Sequence, residues 1–235
     1  MDSAFLSNIE LYYIPAERAN SGVMTLDGDE FQHITRVMRH SVNDKIYLTD
    51  GAGHIFLCRI EELSKKDIKL ERLEKLSYAN RLSNVFFCIP KLKNPERFEF
   101  ALEKSVELGI TNFIVYDAEK GVAKGDKTDR WQKILISGMK QSLRSYLPQL
   151  RCIKSLKDLS VLEGQKVVFE QLGSRKFIEF TGLKDVTYYF IFGPEGGLSD
   201  REISYLSDAE EYSLTGNRLR AETAVITAAS ILALK

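Results

Sequence analysis

The hydrophobic rhythm of the chain changes about a third of the way along. Up to residue 74, apolar residues recur at every second position in short runs: "GVMTL" at 22–26, "DKIYLTDGAGHIFLCRIEEL" at 44–63 and "DIKLERLEKL" at 67–76. That is the period of a strand with one buried face, and "DGAG" between two β-rich runs predicts a hairpin. One helical piece interrupts them, "DGDEFQHITRVMRH" at 27–40, in which Phe31, Ile34, Val37 and Met38 form an apolar stripe. Residues 1–74 are therefore expected to form a small β-barrel or sandwich. "KLSYANRLS" reads as a polar linker, placed at 75–83.

From Asn84 to Lys235 longer apolar strands alternate with helices. "VFFCIPK" predicts a strand, and "NPERFEFALEKSVELGI" a helix with Asn94 as N-cap, Pro95 at its first position and Gly109 as its stop. Further strands are expected at "NFIVYDA", "KVVFEQL", "TYYFIFG" and "EEYSLT". The helices between and after them are "TDRWQKILISGMKQSLRSY", "SDREISYLS" and "RAETAVITAASILALK". Strands alternating with helices argue for an α/β domain with a parallel sheet covered on both faces.

Composition narrows the picture only a little. The 235 residues carry 33 basic and 33 acidic side chains, which excludes a uniformly basic DNA-coating protein but not a local positive face. Cys58, Cys88 and Cys152 are odd in number and widely spaced, so neither a disulfide framework nor a zinc site is indicated. No apolar stretch is long enough to cross a bilayer and the first residues lack a signal-peptide pattern, so a cytoplasmic location is expected.

Two strand-to-loop-to-helix junctions could hold a ligand. In "TYYFIFGPEGGLSDREI" at 187–203 the glycines would let backbone N–H groups approach a ligand at a helix start. Glu195 sits where a phosphate would lie and no phosphate-loop lysine is present, so an uncharged or cationic ligand fits better. Ser199 and Glu202 form a capping box that pre-shapes the loop. The second junction, "GVAKGDKT" at 121–128, resembles a phosphate loop in context but has Asp126 at a required glycine, and reads as an exposed basic loop.

The three histidines, His33, His40 and His54, all lie in the first domain without metal-ligand spacing. His33, Arg36 and His40 can share one helix face with Arg39 at its edge, either a solvated face or one that meets phosphates. The second domain has no histidine, which excludes a Ser-His-Asp triad there. Near the C-terminus, "LTGNRLRAETAVITAASILAL" leads through Arg218 and Arg220 into a helix of small residues able to pack closely against a loop, a ligand or a second subunit.

"GPEGGLSDREI" followed by "SLTGNRLRAETA", with "KSVELGI" and "MKQSLRSYLPQL" upstream, closely resembles the RsmE family, bacterial methyltransferases acting on N3 of a uridine in small-subunit ribosomal RNA. The resemblance spans essentially the whole chain. It implies a SPOUT α/β trefoil-knot domain, preceded by a small PUA-like β-barrel domain that binds RNA, working as a homodimer with S-adenosylmethionine and no metal. It places the cofactor among Leu172, Gly193, Pro194, Glu195, Gly196, Gly197, Leu214 and Leu219 to Thr223, including Arg220. Arg220 is the first catalytic candidate, to stabilise the developing uracil anion or to grip a phosphate, with Glu195, Glu222 and, third, solvent as candidate bases. Arg36, Arg39, Lys91, Lys93 and Arg144 are expected on the RNA backbone. A noncatalytic RNA-binding assembly factor, or a SPOUT enzyme with another target atom, are the rival readings. Two departures stand out: Lys140 to Arg144 ("KQSLR") where the family more often has an "EQSGR"-like segment, and Thr215 where glycine is frequent.

Overall fold

The computed structural model describes residues 6–20, 23–123, 125–181 and 185–235. Gly22 of the expected first strand and Lys124 of the phosphate-loop look-alike lie outside them. The chain divides into two compact units, residues 1–81 with 139–147, and residues 82–138 with 148–235.

The first unit contains β1 (Leu11–Tyr13), α1 (Ala16–Ala19), β2 (Met24–Asp27), α2 (Gly28–Gln32), β3 (Lys45–Thr49), β4 (His54–Leu63) and β5 (Asp67–Ser77). Its five-stranded sheet has the order β1-β3-β4-β5-β2, antiparallel except for the β1–β3 pair. Alternate residues of the meander, such as Ile46, Leu48, Phe56, Cys58 and Ile60, are buried with Ile68 and Leu70 in one core. β5 continues to Ser77, into the stretch expected to be a linker.

The expected apolar helix stripe is only half realised. α2 passes into a π-helical turn at His33–Val37; Phe31 and Ile34 are buried, while Val37 and Met38 are exposed. A wider turn advances each residue by less than 100°, so an α-helical wheel loses register there. His33 and His40 meet instead on Tyr12, their rings edge-on at 5.6 and 6.3 Å, and Arg36 stays exposed.

The "DGAG" hairpin is organised by Asp50, whose carboxylate accepts from the Ala52 and His54 N–H groups at 2.8 and 3.0 Å and meets His54 Nδ1 at 2.7 Å. Residues 139–147 belong to this unit because they pair with it. The Gly53 N–H donates to the Ser145 carbonyl, Leu147 N–H to Gly51, and the Tyr146 hydroxyl to the Tyr78 carbonyl. A Cβ on Gly53 would lie 2.5 Å from the Tyr146 hydroxyl, so only glycine allows this approach. Lys140 Nζ contacts Glu30 Oε1 at 2.7 Å.

The second unit runs β6 (Val85–Pro90), α3 (Pro95–Glu107), β7 (Asn112–Tyr116), α4 (Thr128–Gln141), β8 (Gln149–Ile153), α5 (Leu156–Ser160), β9 (Gln165–Phe169), β10 (Arg175–Lys176), β11 (Tyr188–Ile191), α6 (Asp200–Ser204), β12 (Glu210–Ser213) and α7 (Ala221–Ala233). The last residues of α4 belong to the first unit. Seven strands form one sheet in the order β10-β12-β9-β11-β6-β7-β8, and every pair is parallel. Asn94 caps α3, accepting from the Arg97 N–H at 3.1 Å, with Pro95 as the first helical residue.

β11 shows why its sequence is continuously apolar. All four of its residues are buried, because both sheet faces are covered. Tyr189 and Ile191 join an aliphatic core with Cys88, Ile114, Val168, Leu156 and Leu159. Phe190 faces the other way into an aromatic cluster, 5.4 to 6.0 Å from Phe87, Phe169, Phe177, Phe180 and Tyr188. β11 also enters the sheet between β9 and β6, a slot in its middle rather than at an edge.

Candidate functional site

Three adjacent parallel strands, β12, β9 and β11, end beside one cavity of about 490 Å3. Its walls come from residues at or just past those ends: Phe169 to Gln171 at the end of β9, Phe192 to Glu195 with Gly197 after β11, and Leu214, Thr215 and Asn217 to Leu219 after β12. The start of α7, Arg220, Ala221, Glu222 and Ala224, completes it, with Arg97 of α3. Open parallel sheets bind ligands in this position, beyond the carboxyl ends of their strands, because the connecting loops there diverge and leave room.

The loop after β11 is held in shape before any ligand arrives. The Tyr116 hydroxyl donates to the Phe192 carbonyl at 2.6 Å, and burial pushes its pKa well up, so it stays protonated as a donor. Glu202, only 2 % exposed, accepts from the N–H groups of Ser199 at 2.8 Å and Glu119 at 3.0 Å. The Ser199 hydroxyl accepts from the Glu202 N–H in return, which realises the expected capping box. Lys120 Nζ donates to the Leu198 carbonyl at 2.8 Å. Gly197 sits at φ +71° with open space around its missing side chain, so conformation rather than crowding calls for glycine.

On the opposite wall, Thr215 builds its own turn. Its hydroxyl donates to the Asn217 carbonyl at 3.0 Å and accepts from the Asn217 N–H at 3.1 Å. This hydroxyl closure accounts for a turn without the glycine that the resemblance implies.

Of the residues expected around the cofactor, Gly193, Pro194, Glu195, Gly197, Leu214, Leu219, Arg220, Ala221 and Glu222 line the cavity. Gly196 instead lies against Lys120. β9 ends at Phe169, three residues before Leu172, whose side chain is 94 % exposed and does not line the cavity. Thr223 faces a groove between α3 and α7, because one helical step turns it away from its cavity-lining neighbours Glu222 and Ala224. Glu170, Gln171 and Arg97 also line the cavity and were not singled out from sequence, and Arg218, named there without a role, joins them. Glu170 lies inside the quoted "KVVFEQL" and Arg218 inside "TGNRLR", whereas nothing local marks Arg97, which reaches the site from α3.

The ionic partners sort the catalytic candidates. Glu195 Oε1 accepts from the Lys93 N–H at 3.1 Å, tying its loop to the segment before α3. Glu222 Oε1 lies 3.6 Å from Arg97 Nε. Arg220 is exposed at the N-cap of α7, and among the described residues no ion pair or hydrogen bond engages its guanidinium.

The expected RNA contacts divide likewise. Lys91 is buried, its ammonium 2.7 Å from Asp117 and 2.5 Å from Asp126. Burial pushes its pKa down, but the two carboxylates outweigh that and leave it raised. Its charge is answered inside the domain, which corrects the expectation that it faces RNA. Lys93 is exposed, as are Arg36, Arg39 and Arg144 of the first unit. Among the described residues no cluster of His, Cys, Asp or Glu could hold a metal, and no helix is long and apolar enough to cross a membrane.

Apolar walls from Phe169, Phe192, Pro194, Leu214 and Leu219, with three carboxylates, Glu170, Glu195 and Glu222, and three arginines, Arg97, Arg218 and Arg220, suit a ligand that joins a flat heterocycle to groups of both charges. S-adenosylmethionine has that chemistry.

Comparison with known proteins identifies the family. Residues 80–233 match the family model of an RNA methyltransferase domain, and residues 26–71 that of an RNA methyltransferase PUA domain. The chain is 27% identical over 226 residues to the ribosomal RNA small subunit methyltransferase E of Bacillus subtilis, covering 88% of each. It is 25% identical over 230 residues to that of Aquifex aeolicus, covering 95% of this chain and 99% of the relative. Among solved structures, the ribosomal RNA small subunit methyltransferase E of Neisseria gonorrhoeae bound to S-adenosyl methionine superposes with a TM-score of 0.84 at 25% identity, covering 97% of each chain. The fold class is thus the expected one, a SPOUT α/β domain preceded by a PUA-like β domain.

Proposed function

The chain belongs to the RNA methyltransferase family, and on that premise we propose that it methylates N3 of a uridine in small-subunit (16S) ribosomal RNA, using S-adenosylmethionine, in the cytoplasm. The observation that carries this reading is the joining of the two motifs, "GPEGG" and "LRAETA", in one cavity at the ends of adjacent parallel strands.

When bound, S-adenosylmethionine supplies a methyl group on a cationic sulfonium whose loss leaves a neutral thioether. The chain's own task is to hold it, to orient the uracil and to stabilise the anion left when N3 gives up its proton. Backbone groups of Gly193, Pro194, Glu195 and Gly197, with those of Leu214, Thr215 and Asn217 to Ala221, would hold the donor. Arg220, exposed on the cavity wall and without an ionic partner among the described residues, would oppose the uracil anion. Glu195 and Glu222 already have partners in Lys93 and Arg97, which favours solvent as the proton acceptor and a positioning role for both carboxylates.

Arg36, Arg39, Lys93 and Arg144 would contact RNA phosphates, so affinity for RNA should fall steeply with added salt. The groove of α3 and α7, with Phe100 and Leu234 exposed on it, is the surface we assign to a homodimer. Equilibrium sedimentation of wild-type protein and Phe100→Glu tests that assignment.

Labelled methyl transfer to small subunits from a strain lacking the enzyme, followed by mass spectrometry of the nucleosides, tests the whole reading. A 3-methyluridine product that disappears in Arg220→Ala, with donor binding kept, is the expected result. A different methylated nucleoside would move the target atom, and donor binding without transfer would favour an assembly factor.

A further inference from the structure

The cavity holds three carboxylates in different ionic situations. Glu195 is tied to the Lys93 N–H and Glu222 faces Arg97. Glu170 has neither arrangement: among the described residues no hydrogen bond or ion pair engages its carboxylate. Its backbone is fixed by two bonds, its N–H to the Tyr212 carbonyl at 3.0 Å and its carbonyl to the Gly173 N–H at 3.2 Å. It follows directly on β9, between the cavity-lining Phe169 and Gln171, and is half-buried. An unpaired, partly desolvated carboxylate is unfavourable in the empty protein, and such local costs are commonly retained where a ligand relieves them.

We infer that Glu170 reads the charge of the donor: its carboxylate favours cationic S-adenosylmethionine over the neutral thioether S-adenosylhomocysteine, so that methyl transfer itself weakens the hold on the product. This inference rests on the methyltransferase reading above. Donor and product differ by one methyl group and one unit of positive charge at sulfur. Backbone contacts and apolar walls respond weakly to that charge, whereas a half-buried carboxylate responds directly. The other charged groups around the cavity are Glu195, Glu222, Arg97, Arg218 and Arg220, with Glu211 and Lys120 close to Glu170 itself. Burial, with a smaller contribution from Glu211, raises the Glu170 pKa above the usual carboxylate range, and Lys120 offsets part of that rise.

Titration calorimetry on the full-length protein tests the inference with three probes: S-adenosylmethionine, S-adenosylhomocysteine, and sinefungin, which replaces the sulfonium by a carbon bearing an ammonium. Glu170→Gln is expected to weaken the two cationic probes about tenfold and to leave S-adenosylhomocysteine within about twofold, since a factor of ten matches one modest screened charge interaction. In the wild type the preference for the cationic probes should shrink as pH falls and the carboxylate protonates; in Glu170→Gln it should not change. Equal weakening of all three probes, or no change in any, overturns the inference.

Melting of the ligand-free protein gives a second reading. Because the folded chain binds the Glu170 proton more tightly than the unfolded chain, ionisation costs stability above the raised pKa, and that cost vanishes below the ordinary carboxylate range. Glu170→Gln should therefore melt higher than wild type at neutral pH, with the gap closing on acidification. A lower melting temperature would mean a structural partner for the carboxylate and would overturn the inference. Failure of the wild type to bind any probe would instead overturn the methyltransferase reading, and this inference with it.

Discussion

The two sheets bury their strands by different rules. In the five-stranded sheet the middle of β4 alternates, Cys58 and Ile60 buried, Arg59 and Glu61 exposed. One face makes the core and the other carries charge, including the Arg59–Glu71 pair. In the seven-stranded sheet β11 is buried on both faces, and its residues divide between an aliphatic and an aromatic core. A parallel sheet covered on both sides leaves its strand ends as the remaining place for a ligand, and there the cavity opens. The consequence is that core packing and the cavity wall share a residue in the second unit, where Phe169 belongs to both the aromatic cluster and the cavity wall.

The largest test of this contrast removes one core side chain from each unit. Phe190→Ala should cost about 3–5 kcal/mol and Leu48→Ala about 2–5 kcal/mol in denaturant titrations. Phe190→Ala should also weaken S-adenosylmethionine binding, because Phe169 stacks on Phe190 at 5.9 Å. Leu48→Ala should leave that affinity alone. If both variants bound the donor equally well, the coupling of core to cavity would be broken.

A smaller effect separates two similar helix caps inside the second unit. Glu202→Ala removes a buried acceptor from the Ser199 and Glu119 N–H groups and should cost about 1–3 kcal/mol, with loss of donor affinity. Asp158 accepts from the Lys154 and Ser155 N–H groups, both at 3.2 Å, but is exposed, so Asp158→Ala should cost about 0.5–1 kcal/mol. Thermal melts and calorimetry of the pair sharpen the point that a cap matters in proportion to what its burial excludes.

Within the first unit, Lys140→Ala leaves Glu30 without its ammonium partner and should cost about 1–2 kcal/mol without changing donor affinity. A change in affinity would show that the segment 139–147 serves the cavity as well. The smallest expected effect is a gain. Leu143 stands at φ +55° in the segment where the family more often has glycine, and a left-handed conformation is unfavourable for a side chain with a Cβ. Leu143→Gly should raise stability by about 0.5–1 kcal/mol after allowing for glycine's larger unfolded-state entropy, as read by urea denaturation.

Much of this was legible along the chain. The strand periods, the Asn94 and Ser199 caps, the Gly109 stop and the "DGAG" hairpin are local, and each appears where its pattern indicated. The misreadings came where local pattern met a distant partner or an irregular turn. Val37 and Met38 left the core because α2 widens into a π-turn. β8, "QLRCI", is an edge strand with charge in its middle and offers no apolar run to find. Lys91 resembled an RNA contact until Asp117 and Asp126, from beyond the next strand, closed on it.

For the site, the two motifs and their chemistry were readable because glycines, a capping box and an arginine helix start are short-range features. Glu170 and Arg97 were not, since their relevance depends on β9 ending beside β11 and β12 and on α3 lying against α7. The sequence alone thus determined the fold class, the family and the motifs that shape the ligand loops, all of which follow from period, turn chemistry and motif residues within a few positions of one another. Only the tertiary structure decided which charges are already answered and which are left for a ligand, because an ionic partner is a matter of distance in space, and residues as far apart as Lys93 and Glu195 become neighbours only when strands align.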